Sequence, residues 1–205
     1  MIVTIPVKLK NPKSRLASFF SLNERRKLVL AMLNDVVEAL KGYKIVVITS
    51  EKLTGNFKVI REEKPTGLTK AVKMATDYAL SVGEDSTLFI PADVPTVTED
   101  DIENIVKLGD TNNVVISASE DSGITSLFRK PPNIISEKFS SKSFCSFMEE
   151  IEKNGIKHAT YTSPTISLDI DTIEDVIKFM EIGKETRTYK ILKEIGINMR
   201  REILW

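Results

Sequence analysis

The sequence predicts an α/β fold in which a mainly parallel β-sheet is covered by helices. Short runs of β-branched and apolar residues alternate with longer segments of helical periodicity, and this alternation is typical of strand–helix–strand units. No repeat, low-complexity tract or linker-like stretch divides the chain. We therefore expect residues 1–205 to form a single domain, which at this length can bury a continuous core.

The predicted strands are short runs rich in Val, Ile, Thr and Phe, the residues that favour an extended backbone. Most are bounded by Gly, Pro, Asn, Asp or Ser, which favour turns. By residue number, the predicted strands are 2–7, 44–49, 57–60, 87–91, 114–119, 125–129, 157–162 and 166–168.

The first long helix is predicted over residues 23–40. Its apolar residues recur at helical spacing and form one stripe, and residues 21–24 (SLNE) have the pattern of a capping box. The stripe consists of Leu28, Val29, Met32, Leu33, Val36, Val37 and Leu40.

A second helix is predicted over residues 67–82 because the same spacing returns there. Its stripe consists of Leu68, Ala71, Val72, Ala75, Tyr78, Ala79 and Val82. Shorter helices fit residues 99–108, 143–154 and 173–182, and helical spacing recurs near the end of the chain at Ile191, Leu192 and Ile195.

The composition indicates an ordinary globular protein, with 41% hydrophobic and 28% charged residues. Lys+Arg and Asp+Glu each number 29, so the net charge gives no general attraction to nucleic acid or to anionic membrane. No apolar run is long enough to span a bilayer, and the first residues lack the pattern of a signal peptide. We expect a cytoplasmic protein.

A single cysteine excludes an internal disulfide, and a single histidine excludes a metal site built from histidines.

Aspartates occur where predicted strands end. Asp93 lies in the segment 91–95 (PADVP), and Asp169 and Asp171 lie in the segment 168–172 (LDIDT). In an open α/β sheet, ligands bind outside the carboxyl ends of the strands. Three converging carboxylates would suit Mg²⁺ better than zinc. Helix capping is the alternative for the second segment, through Asp171 with Glu174 or through Thr172 with Asp175, and an arginine is an alternative partner for Asp169.

The loop after the first strand is basic. Residues 8–16 (KLKNPKSRL) include Lys8, Lys13 and Arg15, and a loop in this position is a natural place for the phosphates of a nucleotide. The spacing matches neither the P-loop nor the dinucleotide-binding pattern. A solvated surface loop is the alternative interpretation.

Other loops carry small or hydroxyl-bearing residues. Gly67 opens the second helix, where free backbone N–H groups and the missing Cβ would let a base or a phosphate approach. The segments 121–126 (DSGITS) and 139–144 (FSSKSF) could hold a carboxylate or a phosphate through hydroxyls and amides. An ordinary helix cap and ordinary surface loops are the alternatives.

Taken in order, these motifs resemble those of the 2-phospho-L-lactate guanylyltransferases of the CofC type. Members of that family run from a strand that ends in Pro-Val-Lys through Lys-Ser-Arg-Leu, a Gly-Leu turn and Pro-Ala-Asp-x-Pro to Asp-Ile-Asp-Thr. Here the corresponding segments are residues 6–8, 13–16, 67–68, 91–95 and 169–172, so the resemblance covers nearly the whole chain.

The resemblance implies a nucleotide-diphospho-sugar transferase type of fold, a three-layer α/β/α sandwich with a Rossmann-like sheet. It implies transfer of GMP from GTP to 2-phospho-L-lactate in the biosynthesis of coenzyme F-420, and related members use phosphoenolpyruvate. Lys13, Arg15 and Asp93 would be catalytic, with Lys8, Gly67 and Leu68 also at the nucleotide. Mg²⁺ would bind Asp93, Asp169 and Asp171, and the acceptor acid would bind Gly123, Thr125, Ser140 and Ser143.

The chain departs from the family pattern at three positions. Thr69 replaces the asparagine of Gly-Leu-Asn, residues 122–125 (SGIT) replace Gly-Gly-Thr-Asn, and Ser140 replaces the glycine of Phe-Gly-x-x-Ser. Two of these changes lie where the acid should bind. Alternatives are therefore another nucleotidyltransferase of the same fold, with a sugar phosphate or molybdopterin acceptor, a nucleotide-binding regulator without catalysis, or a non-enzymatic scaffold. The apolar end of the chain, residues 203–205, suggests a homodimer contact.

Overall fold

A computed structural model describes residues 1–65, 67–140 and 142–196. The strands in these residues are β1 (Ile2–Pro6), β2 (Lys44–Thr49), β3 (Lys58–Arg61), β4 (Thr87–Phe89), β5 (Val114–Ala118), β6 (Ile124–Arg129) and β7 (His158–Thr160). They form one seven-stranded sheet with the order β3-β2-β1-β4-β6-β5-β7. The neighbouring strands are parallel except where β6 pairs with β4 and β5, so the predicted mainly parallel sheet is confirmed.

The helices follow the predicted order, and local caps fix several of their first residues. Capping boxes start α1 at Ser21, α3 at Thr98 and α5 at Thr172, because in each the hydroxyl and the acid three residues later satisfy free backbone N–H groups. The helices are α1 (Leu22–Ala39), α2 (Leu68–Ser81), α3 (Glu99–Gly109), α4 (Ser143–Lys153), α5 (Ile173–Ile182) and α6 (Arg187–Ile195), with a 3₁₀ turn at Ser14–Leu16. Helix α6 confirms the periodicity near the chain end, whereas residues 203–205 lie outside the described residues.

Helices cover both faces of the sheet, so the predicted α/β/α layering is confirmed. On one face, α1, α3, α5 and α6 bury the largest apolar cluster against alternate residues of β1 such as Val3 and Ile5. On the other face, α2 packs its alanines on Ile2 and Val46, and α4 packs on β5 and β6. The alternation along β1 follows from the two-residue period of an extended strand.

The predicted strand at residues 166–168 is wrong. This segment is a turn in which the N–H of Ser167 donates to the carbonyl of Ser163 (3.2 Å) and the N–H of Ile166 donates to the Ser163 hydroxyl (3.2 Å). Pro164 supplies no N–H for a sheet ladder. Ile166 and Leu168 are nevertheless buried. Alternate apolar residues are therefore buried in this turn just as they would be in a strand, which explains the wrong prediction.

Within the described part of the chain, no helix combines the length and the apolar character that crossing a membrane requires.

Candidate functional site

The candidate site lies where the strand order reverses. β1 has β2 on one side and β4 on the other. The loops that follow β1 and β4 leave the sheet at the carboxyl ends of these strands, where open α/β sheets bind ligands. A cavity of about 380 Å³ opens here, and its lining includes Lys8, Lys13, Arg15, Asp93 and Asp171. The fold thus brings together the basic loop and both aspartate segments that the sequence indicated.

The basic loop is held by a buried arginine from α1. The guanidinium of Arg25 donates to the Asn11 side chain (2.9 Å) and to the Pro12 carbonyl (2.5 Å), and Arg25 is only 6% exposed. Asn11 and Lys13 have left-handed backbone conformations, with φ of 49° and 46°, which non-glycine residues rarely adopt. The loop is therefore fixed in shape, so its lysine is already aimed before any ligand arrives.

Lys13 lies between two of the predicted aspartates. Its Nζ is 2.6 Å from Asp93 Oδ2 and 2.6 Å from Asp171 Oδ1, and its side chain is 9% exposed. Burial alone would lower the pKa of Lys13, but attraction to Asp93 and Asp171 outweighs burial and holds the pKa above its ordinary value. The ammonium is therefore charged and desolvated, the state in which it interacts most strongly with a phosphate.

Asp171 belongs to the site and not to the helix cap. Thr172 and Asp175 form the capping box of α5, and the N–H of Asp171 also donates to Asp175. The carboxylate of Asp171 is left to contact Lys13 and, at 3.4 Å, Nη1 of Arg15. Of the two interpretations of this segment, capping applies to Thr172 and leaves the carboxylate of Asp171 for the site.

Asp169 faces other acids. A hydrogen bond from the N–H of Ile170 to the Asp93 carbonyl (2.9 Å) joins the two aspartate segments. Burial, followed by repulsion from Asp93, Asp121 and Asp171, raises the pKa of Asp169 to about 7. Asp169 is therefore the member of the group whose ionised form depends most on a nearby positive charge.

The donor chemistry of this group fits Mg²⁺, because all of its side-chain ligands would be hard carboxylate oxygens. Among residues 1–65, 67–140 and 142–196, however, no group of three His, Cys, Asp or Glu side chains is arranged around a metal position. The ammonium of Lys13 instead occupies the space between Asp93 and Asp171. Mg²⁺ at Asp93, Asp169 and Asp171 therefore stays a prediction.

A second cavity of about 210 Å³ adjoins the first and contains the remaining predicted nucleotide residues. Lys8, Gly67 and Leu68 line it. Leu68, the first residue of α2, is 42% exposed, which is high for a large apolar side chain. Gly67 is the N-cap of α2 and has φ of 95°, a value that favours glycine. Lys8 and Leu68 line both cavities, which makes the two spaces one continuous crevice.

The predicted acceptor residues in the first loop are partly enclosed. Gly123 donates its N–H to Asp121 Oδ1 (3.1 Å), and a Cβ at this position would lie 2.7 Å from the Ser119 hydroxyl oxygen. Thr125 is 1% exposed, and its hydroxyl has no hydrogen-bond partner among the described residues. This loop therefore needs glycine at position 123, while Thr125 is covered by its surroundings.

The second predicted acceptor loop is a compact turn at the start of α4. The N–H of Ser140 donates to Ser143 Oγ (2.7 Å), and that hydroxyl donates back to the Ser140 carbonyl (2.5 Å). The N–H of Phe144 donates to the Ser122 carbonyl (3.4 Å), which joins this loop to the first one. The structure thus brings the predicted acceptor loops together.

Thr69, the residue that departs from the family pattern, connects the nucleotide helix to the second loop. Its hydroxyl accepts from the N–H of Phe139 (3.3 Å) and donates to the Phe139 carbonyl (3.5 Å). Phe139 also packs against Phe89 and Phe147, with ring centroids 4.9 and 5.3 Å apart. A small hydroxyl side chain at position 69 therefore anchors the loop next to it.

Sequence reasoning missed two residues that support the site. Asp121 accepts a hydrogen bond from the Ser119 hydroxyl, and this bond, with the nearby charge of Arg15, keeps the pKa of Asp121 below its ordinary value. The second residue is Arg25, which holds the basic loop. Its position one residue after the capping-box Glu24, on the buried side of α1, was the signal available in the sequence.

Asp101 has two roles. It caps α3 with Thr98, and its carboxylate also accepts hydrogen bonds from the hydroxyls of Tyr161 (2.8 Å), Ser163 (2.5 Å) and Thr165 (2.7 Å). One buried acid therefore anchors the chain just before the segment that contains Asp169 and Asp171. The hydroxyl-rich spacing of residues 161–165 was the only signal for this role in the sequence.

Comparison with solved structures supports the class of protein. A protein from Desulfovibrio desulfuricans assigned to the nucleotide-diphospho-sugar transferases superposes with a TM-score of 0.71, at 13% identity and over 94% of both chains. The similarity at this low identity concerns the fold. The fold is therefore of the nucleotide-diphospho-sugar transferase type.

Sequence comparison identifies the family. The chain matches the model for "Guanylyl transferase CofC like" proteins over residues 1–203. The 2-phospho-L-lactate guanylyltransferase of Methanocaldococcus fervens is 34% identical over 97% of this chain and 93% of its own. The enzyme of that name from Methanocaldococcus sp. (strain FS406-22) is 35% identical over 97% of this chain and 89% of its own. The protein belongs to the CofC-like guanylyl transferase family.

Proposed function

We propose that the protein transfers GMP from GTP to 2-phospho-L-lactate, giving lactyl-2-diphospho-5′-guanosine and pyrophosphate in the biosynthesis of coenzyme F-420. The observation that carries this proposal is the placement of Lys13 between Asp93 and Asp171 at the mouth of a crevice with room for a nucleotide. The names of the relatives supply the acceptor.

The reaction is a substitution at the α-phosphorus of GTP. An oxygen of the acceptor phosphate forms the new P–O bond, the bond to the β-phosphate bridging oxygen breaks, and pyrophosphate leaves with the electron pair. The attacking oxygen is already ionised at neutral pH, so the protein supplies no general base. Its task is to bring two anions together, for which fixed cations and position are needed.

Lys13 and Arg15 would divide this task. Lys13 is buried and held by two carboxylates, so its charge is pre-positioned for the phosphates and costs no reorganisation when they bind. Arg15 is 67% exposed on its side chain, and its planar guanidinium can follow the departing pyrophosphate with paired hydrogen bonds.

Mg²⁺ is the cofactor that the donor set favours. Asp93, Asp169 and Asp171 would hold it, and the bound ion would supply Lewis-acid stabilisation of phosphate oxygens. Burial, followed by repulsion from neighbouring carboxylates, raises the pKa of Asp169 to about 7, and a bound divalent cation would relieve the repulsion. Loss of GTP-induced thermal stabilisation after chelation would support a metal in the nucleotide complex.

The acceptor acid would lie at the junction of the two hydroxyl-rich loops. Gly123 and Ser140 lie in these loops, where their N–H groups donate to Asp121 and to Ser143. Thr125 is covered by its surroundings, so we propose that it supports this loop and does not touch the acid directly. Phosphoenolpyruvate is the alternative acceptor.

Pyrophosphate release tests the proposal. Wild-type protein is incubated with Mg²⁺, one nucleotide (GTP, ATP or CTP) and one acid (2-phospho-L-lactate or phosphoenolpyruvate). We expect release with GTP and 2-phospho-L-lactate. Release with phosphoenolpyruvate alone would change the acceptor and keep the chemistry. No release in any combination, from protein that is stabilised by GTP, would contradict the transferase function.

The homodimer and the cytoplasmic location stay predictions from the sequence. The dimer rests on residues 203–205, outside the described part of the chain. Light scattering of the purified protein measures its oligomeric state directly.

A further inference from the structure

We propose that Glu62 recognises the guanine base by accepting hydrogen bonds from its N1–H and its 2-amino group, and that this contact selects GTP over ATP. The inference rests on the proposed function, because it assigns the base-reading residue of the same nucleotide site. In this proposal the base of the nucleotide binds in the smaller cavity and the phosphates bind in the larger one.

Glu62 is one of the residues that line the smaller cavity. It directly follows β3, and its N–H donates to the Thr49 carbonyl (2.9 Å), which continues the pairing of β3 with β2. The residue is 8% exposed and lines the cavity with Ser50. Among the described residues that line this cavity, Glu62 is the single carboxylate. Its backbone is thus fixed by the sheet, which is what a specificity residue requires.

The walls of this cavity suit a flat ring. The apolar residues that line it are Pro6, Val7, Ile48, Leu68 and Ala71. Leu68 is partly exposed, so a stacked base would cover apolar surface that now faces water. Most of a purine can be buried on such walls, and the polar end of the cavity then decides which purine fits.

The geometry of the crevice orients the nucleotide. The smaller cavity shares Pro6, Val7, Lys8 and Leu68 with the larger one, and the larger one contains Lys13 and Asp93. A nucleoside triphosphate with its phosphates at Lys13 would run past Lys8 and Leu68 and place its base beside Glu62. Among the described residues that line the smaller cavity, Lys8 is the other charged one, and it lines the larger cavity as well.

The chemistry of the base edge gives the selectivity. Guanine presents two adjacent donors, N1–H and the 2-amino group, which match the two oxygens of one carboxylate. Adenine presents an acceptor at N1 and no amino group at C2, so its ring nitrogen would face a carboxylate oxygen. A buried site that leaves polar groups mismatched rejects the wrong substrate far more strongly than a site that differs only in shape.

The decisive experiment is a switch of base preference in Glu62→Gln. The glutamine oxygen still accepts from N1–H, but its NH₂ group faces the 2-amino group of guanine and suits the 2-oxo group of xanthine. We expect the affinity for GTP to fall by about 10- to 150-fold, and the affinity for XTP to rise above that of the wild type. Binding is measured by calorimetry without acceptor, and the nucleotide KM and kcat by pyrophosphate release. The KM should change more than kcat, because the base is remote from the α-phosphorus.

Glu63→Gln is the matched control, because it removes the same charge from the adjacent exposed position and should leave both nucleotide affinities unchanged. A Glu62→Gln protein that folds and keeps the wild-type preference for GTP over XTP would overturn the proposal.

The wild type offers a test that does not depend on the variant folding. ITP lacks the 2-amino group, so its affinity should be about 10-fold or more below that of GTP. Equal affinity for GTP, ITP and ATP would overturn the assignment of Glu62. Because binding needs no acceptor, failed catalysis with a confirmed base switch would contradict the proposed reaction and leave the base assignment standing.

Discussion

The two halves of the site are built by different kinds of interaction. In the charged half, Lys13 contacts Asp93 and Asp171, which are 80 and 158 residues away in the chain. In the hydroxyl half, residues 119–125, 139–140 and 142–143, several hydrogen bonds join residues two or three apart, such as Ser119 with Asp121 and Ser140 with Ser143. The charged half therefore depends on contacts between distant segments, whereas the hydroxyl half is shaped largely by contacts within each loop.

The largest effect on turnover is expected from Asp93→Asn, in the charged half. The substitution keeps the shape of the side chain but removes one of the two negative charges that hold Lys13. We expect a fall in turnover of at least about 1,000-fold, measured by pyrophosphate release, with little change in melting temperature. Asp77→Asn is the control, because Asp77 makes only an exposed ion pair with Lys73. Near-normal turnover in Asp93→Asn would remove this carboxylate from the mechanism.

Lys13→Gln and Arg15→Gln divide the charged half further. Lys13 is nearly buried and Arg15 is largely exposed, and a desolvated charge interacts more strongly than a solvated one. We expect kcat to fall by about 100-fold or more for Lys13→Gln and by about 10-fold for Arg15→Gln. A larger effect from the arginine would show that the exposed cation, and not the buried one, stabilises the transition state.

Much of the charged half was predictable because its signals are local. The aspartates follow apolar runs, the basic loop follows β1, and the capping boxes at Ser21, Thr98 and Thr172 are readable over four residues. These patterns also gave the α/β layers. The pairing of Lys13 with Asp171 was not predictable, because no short-range pattern encodes a contact between residues so far apart.

The wrong strand prediction has a physical origin. Residues 166–168 resemble a strand because apolar alternation reports burial, and a turn held by Ser163 buries Ile166 and Leu168 equally well. The assignment of Thr125 to the acceptor stays a prediction, and the residue is buried beside a shift in register between β5 and β6. Sequence patterns identify the loops, while packing decides which side chains face outward.

Asp101→Asn tests whether the charged half depends on the hydrogen bonds by which Asp101 holds residues 161–165. Its carboxylate accepts hydrogen bonds from three hydroxyls of residues 161–165, and an amide can satisfy only part of that set. We expect the free energy of unfolding to fall by about 2–3 kcal/mol, measured by urea denaturation. The neighbouring exposed Glu103→Gln should change it by less than about 0.5 kcal/mol.

The same residue gives a pH dependence with a defined sign. Burial would raise the pKa of Asp101, but the hydrogen bonds from Ser163, Thr165 and Thr98 outweigh burial and lower the pKa. The stabilisation is therefore complete above the unfolded value near 3.8 and is lost as the pH falls through the lower folded value. Between pH 5 and pH 2, roughly, wild-type stability should fall more steeply than that of Asp101→Asn. Parallel curves would contradict the assignment.

The smallest effect is expected in the hydroxyl half, from Gly123→Ala. The new Cβ would lie 2.7 Å from the Ser119 hydroxyl oxygen, so either the Ser119 side chain or the loop must shift. We expect the KM for the acceptor acid to rise about 5-fold, equivalent to about 1 kcal/mol, with the KM for GTP unchanged. Equal changes in both constants would contradict the division of the site into two halves.

The hydrogen bond from Ile170 to the Asp93 carbonyl has a consequence for how the protein is made. It closes the site across two distant parts of the chain, so a ribosome must release nearly the whole chain before the three aspartates can meet. A partly synthesised chain could already form β1 to β4 and display the basic loop, yet it would lack Asp171. Nucleotide chemistry would therefore begin only when synthesis and folding have both been completed.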